Sequence, residues 1–363
     1  MPHRPLPIPN CSEPHQPCRS SIIIVSFNAR EKLARCLDSI VKNLTNDTEV
    51  IVVDNASWES NAEMVESAYP AVALIRSETN LGFATGCNLG VRQARGKYLV
   101  FLNPDTLVEN NWLENLIRPF EEKSEVGIIT PKILLSDRPD TINACGTAVH
   151  LTGLSLCRGL GLPRQRYDGF GEVGAISGAA FAIRRELFER LGGFDEDMFL
   201  YMEDIDLSLR ARLTGWQTYY TPDCTIFHDY ELRVTPLKVF WQERNRYLML
   251  LKIFKWRTLI LLLPVYLLAE MITWSFVFIH DRQHLMNKLN AYGWVIRNWS
   301  TILGKRATTQ SLRAVTDREL LKAMTDQLDF GQASSGIVAR LAKLIFTPIF
   351  YLLRKFILAI VWW

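Results

Sequence analysis

Between residue 21 and about residue 130, four short, almost unbroken apolar runs alternate with segments of helical period. The runs are 22–25, 50–53, 72–75 and 98–102, and the segments 29–44, 59–68 and 85–94 lie between them. In the first segment Leu33, Leu37, Ile40 and Leu44 recur at the spacing that gathers them on one helix face. A strand that is apolar on both sides has to be covered on both sides, which a parallel sheet flanked by helices achieves. The expectation is an α/β domain with a mostly parallel sheet and helices on both faces. Sheets of this kind bind ligands just beyond the carboxyl ends of their strands.

Those strand ends are polar. Ser26-Phe27-Asn28 follows the first run, Asp54-Asn55-Ala56-Ser57 the second, Asn80 to Gly90 the third, and Asn103-Pro104-Asp105 the fourth. Any one of them is explained by turn or cap chemistry; four that a parallel sheet would bring together predict a ligand site. Asp54 is placed to accept from a ribose hydroxyl or a base N–H. Asp105, on a stiff Asn-Pro turn, is what a hard cation bridging a diphosphate requires. The glycine-rich segment contains neither the GK[ST] of a P-loop nor G-x-G-x-x-G. Its Gly82, Gly86 and Gly90 stand four apart on one helix face, which permits close packing and leaves the loop at Asn80 for a ligand. A nucleotide whose diphosphate is handled by a metal fits better than ATP hydrolysis or hydride transfer.

From 131 to 235 the pattern is richer in glycine. Residues 174–183 read as a strand, 185–191 as a short helix ended by Gly192-Gly193, and 203–213 as a helix closed by Thr214-Gly215. Strands are expected at 216–221 and 225–228. Glu203-Asp204-Ile205-Asp206 opens the 203–213 helix. Dipole complementarity and the Asp206–Arg210 spacing account for Glu203 and Asp206. Asp204 is different, because its face continues as Ser208, Ala211 and Gly215, all small; room beside a carboxylate is what a general base needs. His228, ending an apolar strand, is a candidate metal ligand or phosphate contact, or a structural histidine.

A net charge of +3, with no zinc-finger or RNP pattern, excludes nucleic acid as the expected partner. Seven scattered cysteines without CxxC fit a reducing compartment. Residues 1–20 hold six prolines and no apolar run, predicting a disordered arm without a secretory signal. The domain then runs 21–235, its two halves dividing near 130, and 236–363 is a helical, membrane-associating region. Within it 258–279 carries Glu270 as its only charge, and reads either as a bilayer span or as a buried or half-buried helical hairpin. In 337–363 the cations Arg340, Lys343, Arg354 and Lys355 share one arc of about 120°, the rest being mainly apolar, which predicts a helix lying in the membrane plane.

The motifs at 22–28, 50–57, 80–90, 101–105 and 177–215 resemble, in order and spacing, those of glycosyltransferase family 2, the inverting GT-A enzymes. The similarity runs from about 21 to 230 and is greatest to the branch containing rhamnosyltransferases. It implies a nucleoside-diphosphate sugar donor, a divalent cation (Mg2+ or Mn2+) and inversion at the anomeric carbon. It places Ser26, Asn28, Asp54, Asn80, Gly82 and Asn103 at the donor, Asp105 and His228 at the metal, and Asp204 as base. Gly178, Phe194, Asp195 and Glu203 would border the acceptor. Asn103 stands where the family's DxD motif has its first acid, so the diphosphate itself becomes the main anionic ligand of the metal. The membrane-seeking C-terminus suggests a lipid-linked saccharide acceptor at the cytoplasmic face of the membrane. Two rivals remain: a nucleotidyltransferase, and an inactive membrane-associated GT-A scaffold.

Overall fold

The computed structural model describes residues 18–230, 235–279, 282–332 and 337–363, so all but the last three residues of the expected N-terminal arm lie outside the described residues. In chain order the first half is β1 (Ser20–Ser26), α1 (Arg30–Val41), β2 (Thr48–Asp54), α2 (Asn61–Ala68), β3 (Ala73–Arg76), α3 (Gly82–Gln93) and β4 (Tyr98–Leu102). There follow β5 (Thr106–Val108), α4 (Trp112–Glu122), β6 (Val126–Leu135), β7 (Ile142–Ala144), β8 (Thr147–Val149), β9 (Ser155–Cys157) and β10 (Gly171–Glu172). Next come β11 (Ala180–Arg184), α5 (Arg185–Arg190), α6 (Glu203–Leu213) and β12 (Gln217–His228). The rest is helical: α7 (Pro236–Ile253), α8 (Trp256–Leu261), α9 (Leu263–Ile279), α10 (Arg282–Arg297), α11 (Trp299–Ser311), α12 (Asp317–Ala323) and α13 (Ile337–Ile360).

The main sheet runs β3-β2-β1-β4-β11-β6-β12-β10. Its N-terminal half is parallel, and β11 enters antiparallel between β4 and β6. The apolar runs alternate between two cores because successive side chains of a strand point to opposite faces. Ile22, Ile24, Val50, Val52, Val100 and Leu102 pack beneath α1, α2 and α4. Ile23, Val25, Ile51, Val53, Leu99 and Phe101 pack beneath α3, α5 and α6. The glycine face of α3 lies directly on β1: a Cβ on Gly86 would stand 2.8 Å from Val25, and one on Gly90 2.6 Å from Ile23.

Two expectations change shape. The strand expected over 174–183 forms only at 180–184, and the residues before it make isolated bridges at Ala175 and Ser177 instead. The two strands expected at 216–221 and 225–228 are one strand, β12, with an irregularity between Thr221 and Thr225.

The C-terminal helices share a core with α6. Ile205, Leu209 and Leu213 pack with Leu248 and Leu250 of α7, Val265 of α9, Phe350 and Ile357 of α13, and Val361 just beyond it. Among the described residues no helix is long and apolar enough to cross a membrane. The 258–279 stretch is broken into α8 and α9, and its Glu270 pairs with Arg246 at 2.6 Å and Lys288 at 3.1 Å. With Leu263, Leu267, Met271 and Phe278 more than half exposed, the half-buried, ion-paired helical reading is the better of the two.

Helix α13 has two apolar faces. Phe350, Ile357 and Val361 are buried, whereas Leu341, Leu344, Ile345, Leu352 and Phe356 on the far side are more than half exposed. Just before α13, the Gln332 carboxamide meets the edge of β9 as a strand would. Its Nε2 donates to the Cys157 carbonyl at 2.9 Å, and its Oε1 accepts from the Cys157 N–H at 3.1 Å.

Candidate active site

Parallel register aligns the ends of the first strands. Ser26 is paired with Asp54, and Ile24 with both Val52 and Leu102, so the segments after β1, β2 and β4 emerge on one edge of the sheet. Three asparagines shape that edge. Asn28, in the left-handed region at φ 50°, receives the Trp58 N–H at 3.0 Å on its Oδ1, while its own N–H donates to Ser57 Oγ. Asn61 donates to Ser26 Oγ and Ser57 Oγ, both at 2.9 Å. Asn55 donates to Asn80 Oδ1 at 3.0 Å and accepts from the Leu81 N–H at 2.8 Å. The β1 and β2 loops are thus stitched together, with the Asp54 carboxyl beneath them accepting from the Ser57 N–H at 3.4 Å. Ser26 is wholly buried and shapes the floor of this edge. Asn80, exposed at its lip, is held through its Oδ1 by Asn55 and by the Gly82 N–H.

Asp105 and His228 meet. Thr106 pairs with His228 across β5 and β12, and the Asp229 N–H donates to the Asp105 carbonyl at 3.0 Å. His228 Nε2 stands 3.3 Å from Asp105 Oδ1, close enough for an ion pair but not aligned as a hydrogen bond, and that buried oxygen has no donor among the described residues. On the other side of the ring, His228 Nδ1 lies 2.9 Å from Asn143 Oδ1. With Nδ1–H donating to Asn143, a neutral imidazole turns its Nε2 lone pair toward the carboxylate. Two acceptors face each other, and a proton or a divalent cation between them removes the clash. Burial works to raise the Asp105 carboxyl, yet with the proton between the pair the positive His228 ring, together with the Lys32 ammonium, outweighs it and holds the carboxyl below its ordinary range. The donor set fits a hard cation with few protein ligands, the remaining positions belonging to phosphate and water. Among the described residues no group of three or more His, Cys, Asp and Glu side chains gathers for a metal.

Asp204 hangs from the segment that leads into β11. The Gly178 N–H donates to its Oδ2 at 2.8 Å and the Ile205 N–H to its Oδ1 at 2.9 Å. Gly178 precedes Ala179, whose carbonyl accepts the Asn103 N–H at 2.9 Å, and Ala180 is paired with Leu102. One short run of bonds therefore joins the Asp204 carboxylate to the turn that carries Asp105. Asp204 is half-buried, and desolvation pushes its carboxyl up to about 6 despite the two backbone N–H groups. A carboxylate titrating there is poised to take a proton near neutral pH. Gly178 also provides the space, since a Cβ there would stand 3.1 Å from Asp204 Oδ2.

The loop leading into α6 is strained. Tyr201 at φ 66° and Met202 at φ 71° are consecutive residues in the left-handed region, each costing on the order of 1–3 kcal/mol. Asn245 of α7 holds them, donating to the Leu200 carbonyl at 3.0 Å and the Tyr201 carbonyl at 2.6 Å.

Four residues expected at the donor or acceptor are placed otherwise. Phe194 is buried among Phe101, Phe181 and Phe188. Asp195 is a buried ion-pair partner of Lys252 and Lys305, whose charges drive its carboxyl far down against the effect of burial. Glu203 lies inside the core with no face for a sugar, and burial and the Asp204 charge push its carboxyl well above the ordinary range. Gly82, at φ 78°, lets the 194–202 loop approach, because a Cβ there would meet the Phe199 carbonyl at 2.3 Å. Each serves the loop that presents Asp204. Asn55, Asn143 and Asn245 were not singled out from the sequence. Asn55 sat unassigned inside the motif after β2, and for the other two no local pattern signals a partner 85 or 44 residues away.

Residues 21–192 match the sequence model described as Glycosyl transferase family 2. An N-acetylglucosaminyl-diphospho-decaprenol L-rhamnosyltransferase of Mycobacterium tuberculosis is 24% identical over 231 residues, 57% of this chain and 75% of that protein. A poly-beta-1,6-N-acetyl-D-glucosamine synthase of Staphylococcus epidermidis is 21% identical over 204 residues, 56% of this chain and 48% of its own length. Among solved structures, residues 1–349 of S. aureus TarS superpose with a TM-score of 0.54 at 15% identity, over 93% of this chain and 90% of that one. GalNAc-T7 with UDP, GalNAc and Mn2+ gives 0.52 at 19% identity, over 65% of this chain and 48% of its own. At these identities the structural likeness shows a shared GT-A-like α/β fold.

Proposed function

The chain is a glycosyltransferase whose residues 21–192 belong to family 2, and from that premise we propose an inverting transfer of a sugar from a nucleoside-diphosphate donor to a hydroxyl of a lipid-linked saccharide. The observation that carries the reading is the pairing of Asp204 with Gly178, beside the strand whose end bears Asp105. Asp204 removes the proton of the acceptor hydroxyl, which attacks the anomeric carbon opposite the departing nucleoside diphosphate. A divalent cation held by Asp105 and His228 neutralises charge on the leaving diphosphate when bound. Asn143 keeps the His228 ring turned, and Asp54 with the loop clasped by Asn28 and Asn55 receives the nucleoside. Neighbours solved with Mn2+ or with UDP support the cation and the donor class.

Rhamnose as the sugar, and a diphospho-lipid saccharide as the acceptor, are supported by the name of the mycobacterial relative. A peripheral seat on the cytoplasmic membrane face is supported by the outer apolar face of α13, bordered by Arg340, Lys343 and Lys355.

The test is a screen of the purified full chain, with Mn2+, against dTDP-, UDP- and GDP-sugars, reading donor hydrolysis. One donor class should be turned over, and Asp204→Asn should lose about 10²–10⁴ of the rate. No turnover of any donor would favour the inactive scaffold. Flotation with anionic vesicles, with and without residues 337–363, tests the membrane seat; undiminished binding of the shortened chain would count against it.

A further inference from the structure

Asp204 follows directly on a strained turn, and the turn is gripped from α7. We infer that Asn245 is a positioning residue for the base: by holding the left-handed Tyr201–Met202 pair it sets where α6 begins, and with it the Asp204 carboxylate. The inference rests on the assignment of Asp204 as base.

Asn245 is fully buried, and every polar atom of its carboxamide is used. Its Nδ2 donates to the Leu200 and Tyr201 carbonyls. Its Oδ1 accepts from Arg244 Nε at 2.8 Å. The orientation is unambiguous, because a guanidinium only donates and a backbone carbonyl only accepts. Arg244 is fixed in turn, stacked between Trp241 and Trp294 at 4.4 and 4.5 Å and donating to the Asp197 carbonyl. The clamp therefore takes the loop at Asp197, Leu200 and Tyr201, while the Met202 carbonyl passes to the Asp206 N–H and starts the helix. Two consecutive non-glycine residues at positive φ persist only where their surroundings over-determine them. Here the surroundings are the Asn245 carboxamide on two successive carbonyls, the packed Met202 side chain and the Lys238 ammonium over the Tyr201 ring. Released, the pair relaxes toward negative φ, the first turn of α6 rotates, and the carboxylate leaves the Gly178 N–H. A displacement of about 1 Å at a reacting group costs on the order of 100-fold in rate.

The test compares Asn245→Ala and Asn245→Asp with Leu248→Ala, a truncation in the same helix that thins the apolar packing beside Ile205 and leaves both carbonyl bonds to the loop in place. The readouts are amide exchange of residues 197–206, and kcat and donor KM in donor hydrolysis, each taken well below the variant's own Tm. In both Asn245 variants exchange of the loop should rise about tenfold or more, and kcat should fall at least about tenfold with donor KM nearly unchanged. Asn245→Asp, nearly isosteric but facing two carbonyls with a carboxylate, should be the worse of the two. Leu248→Ala should show neither effect. Loop exchange and kcat like those of Leu248→Ala would overturn the inference. Faster loop exchange with kcat unchanged would overturn it too, since the clamp would then hold the loop without serving the base. If Asp204→Asn leaves turnover intact, the premise fails instead, and the exchange result identifies that case independently.

Discussion

Replacing Asp204 by Asn should make the protein inactive and, at neutral and alkaline pH, relatively more stable. The carboxyl titrates at about 6 in the fold against an ordinary 3.8. Its ionisation in place therefore costs on the order of 3 kcal/mol at about 1.4 kcal/mol per unit. The folded pKa is the raised one, so this contribution to stability is fully present below the unfolded pKa and is lost as pH rises through 6. Integrated from pH 5 to pH 8, the wild type loses about 1.4 kcal/mol by this route, and an Asn variant does not. The amide brings a separate cost, because its NH2 meets either the Gly178 or the Ile205 N–H, but that cost does not vary with pH. Urea unfolding of both proteins at intervals between pH 5 and 8 isolates the varying part. The stability of the variant relative to wild type should climb by roughly 1 kcal/mol across that range, and neighbouring Glu203, relieved of the Asp204 charge, should not reverse the sign. A flat difference, or one that falls, would show that Asp204 is not a desolvated carboxylate, and the argument for a base poised near neutrality would go with it.

Three further outcomes are expected. Lys252→Met leaves Asp206 and Asp195 with a missing cation in a wholly buried setting, and should cost about 3–5 kcal/mol in urea unfolding; a loss below 1 kcal/mol would mean that Lys305 and Arg210 suffice. Gly82→Ala puts a Cβ against the Phe199 carbonyl at a positive φ, so it should lower both Tm and turnover, with a penalty of roughly 2 kcal/mol or more. Asn143→Ala frees the His228 ring and should weaken Mn2+ binding roughly 10–100-fold by electron paramagnetic resonance titration, with the fold retained; unchanged affinity would detach His228 from the metal.

The parallel half of the sheet was legible because its strands are apolar on both faces and its helices keep a 3.6-residue period. Asp105 and Asp204 were legible because each breaks a local rule: one ends a strand with a charge, and the other faces small residues where a helix could carry large ones. What escaped was set by contacts distant in sequence. Asp195 reads as a loop acid until Lys252 and Lys305 are seen to enclose it. Glu203 and Asp204 share a helix turn, yet one points into the core and the other toward Gly178. Over 174–183 the small residues suggested one long strand, but Gly178 turns its N–H to a side chain, and a residue that does so leaves the ladder. In 337–363 the cation arc was visible, whereas the inner face that packs Phe350 and Ile357 was not, since it borders Lys343 and Arg354 of that arc and so reads from sequence as the polar side.

The bond pair between Gln332 and Cys157 sets a reach. Ser155 of the same hairpin touches Met202, two residues before Asp204, with its hydroxyl 3.6 Å from the thioether sulfur. From Gln332 to Ile337 the chain advances five residues, and even drawn taut it spans no more than about 18 Å. If α13 settles onto a bilayer, the hairpin beside Asp204 is tethered within that span of the helix, roughly half the thickness of a membrane. A sugar carried on a headgroup diphosphate could then be worked on without its lipid leaving the leaflet.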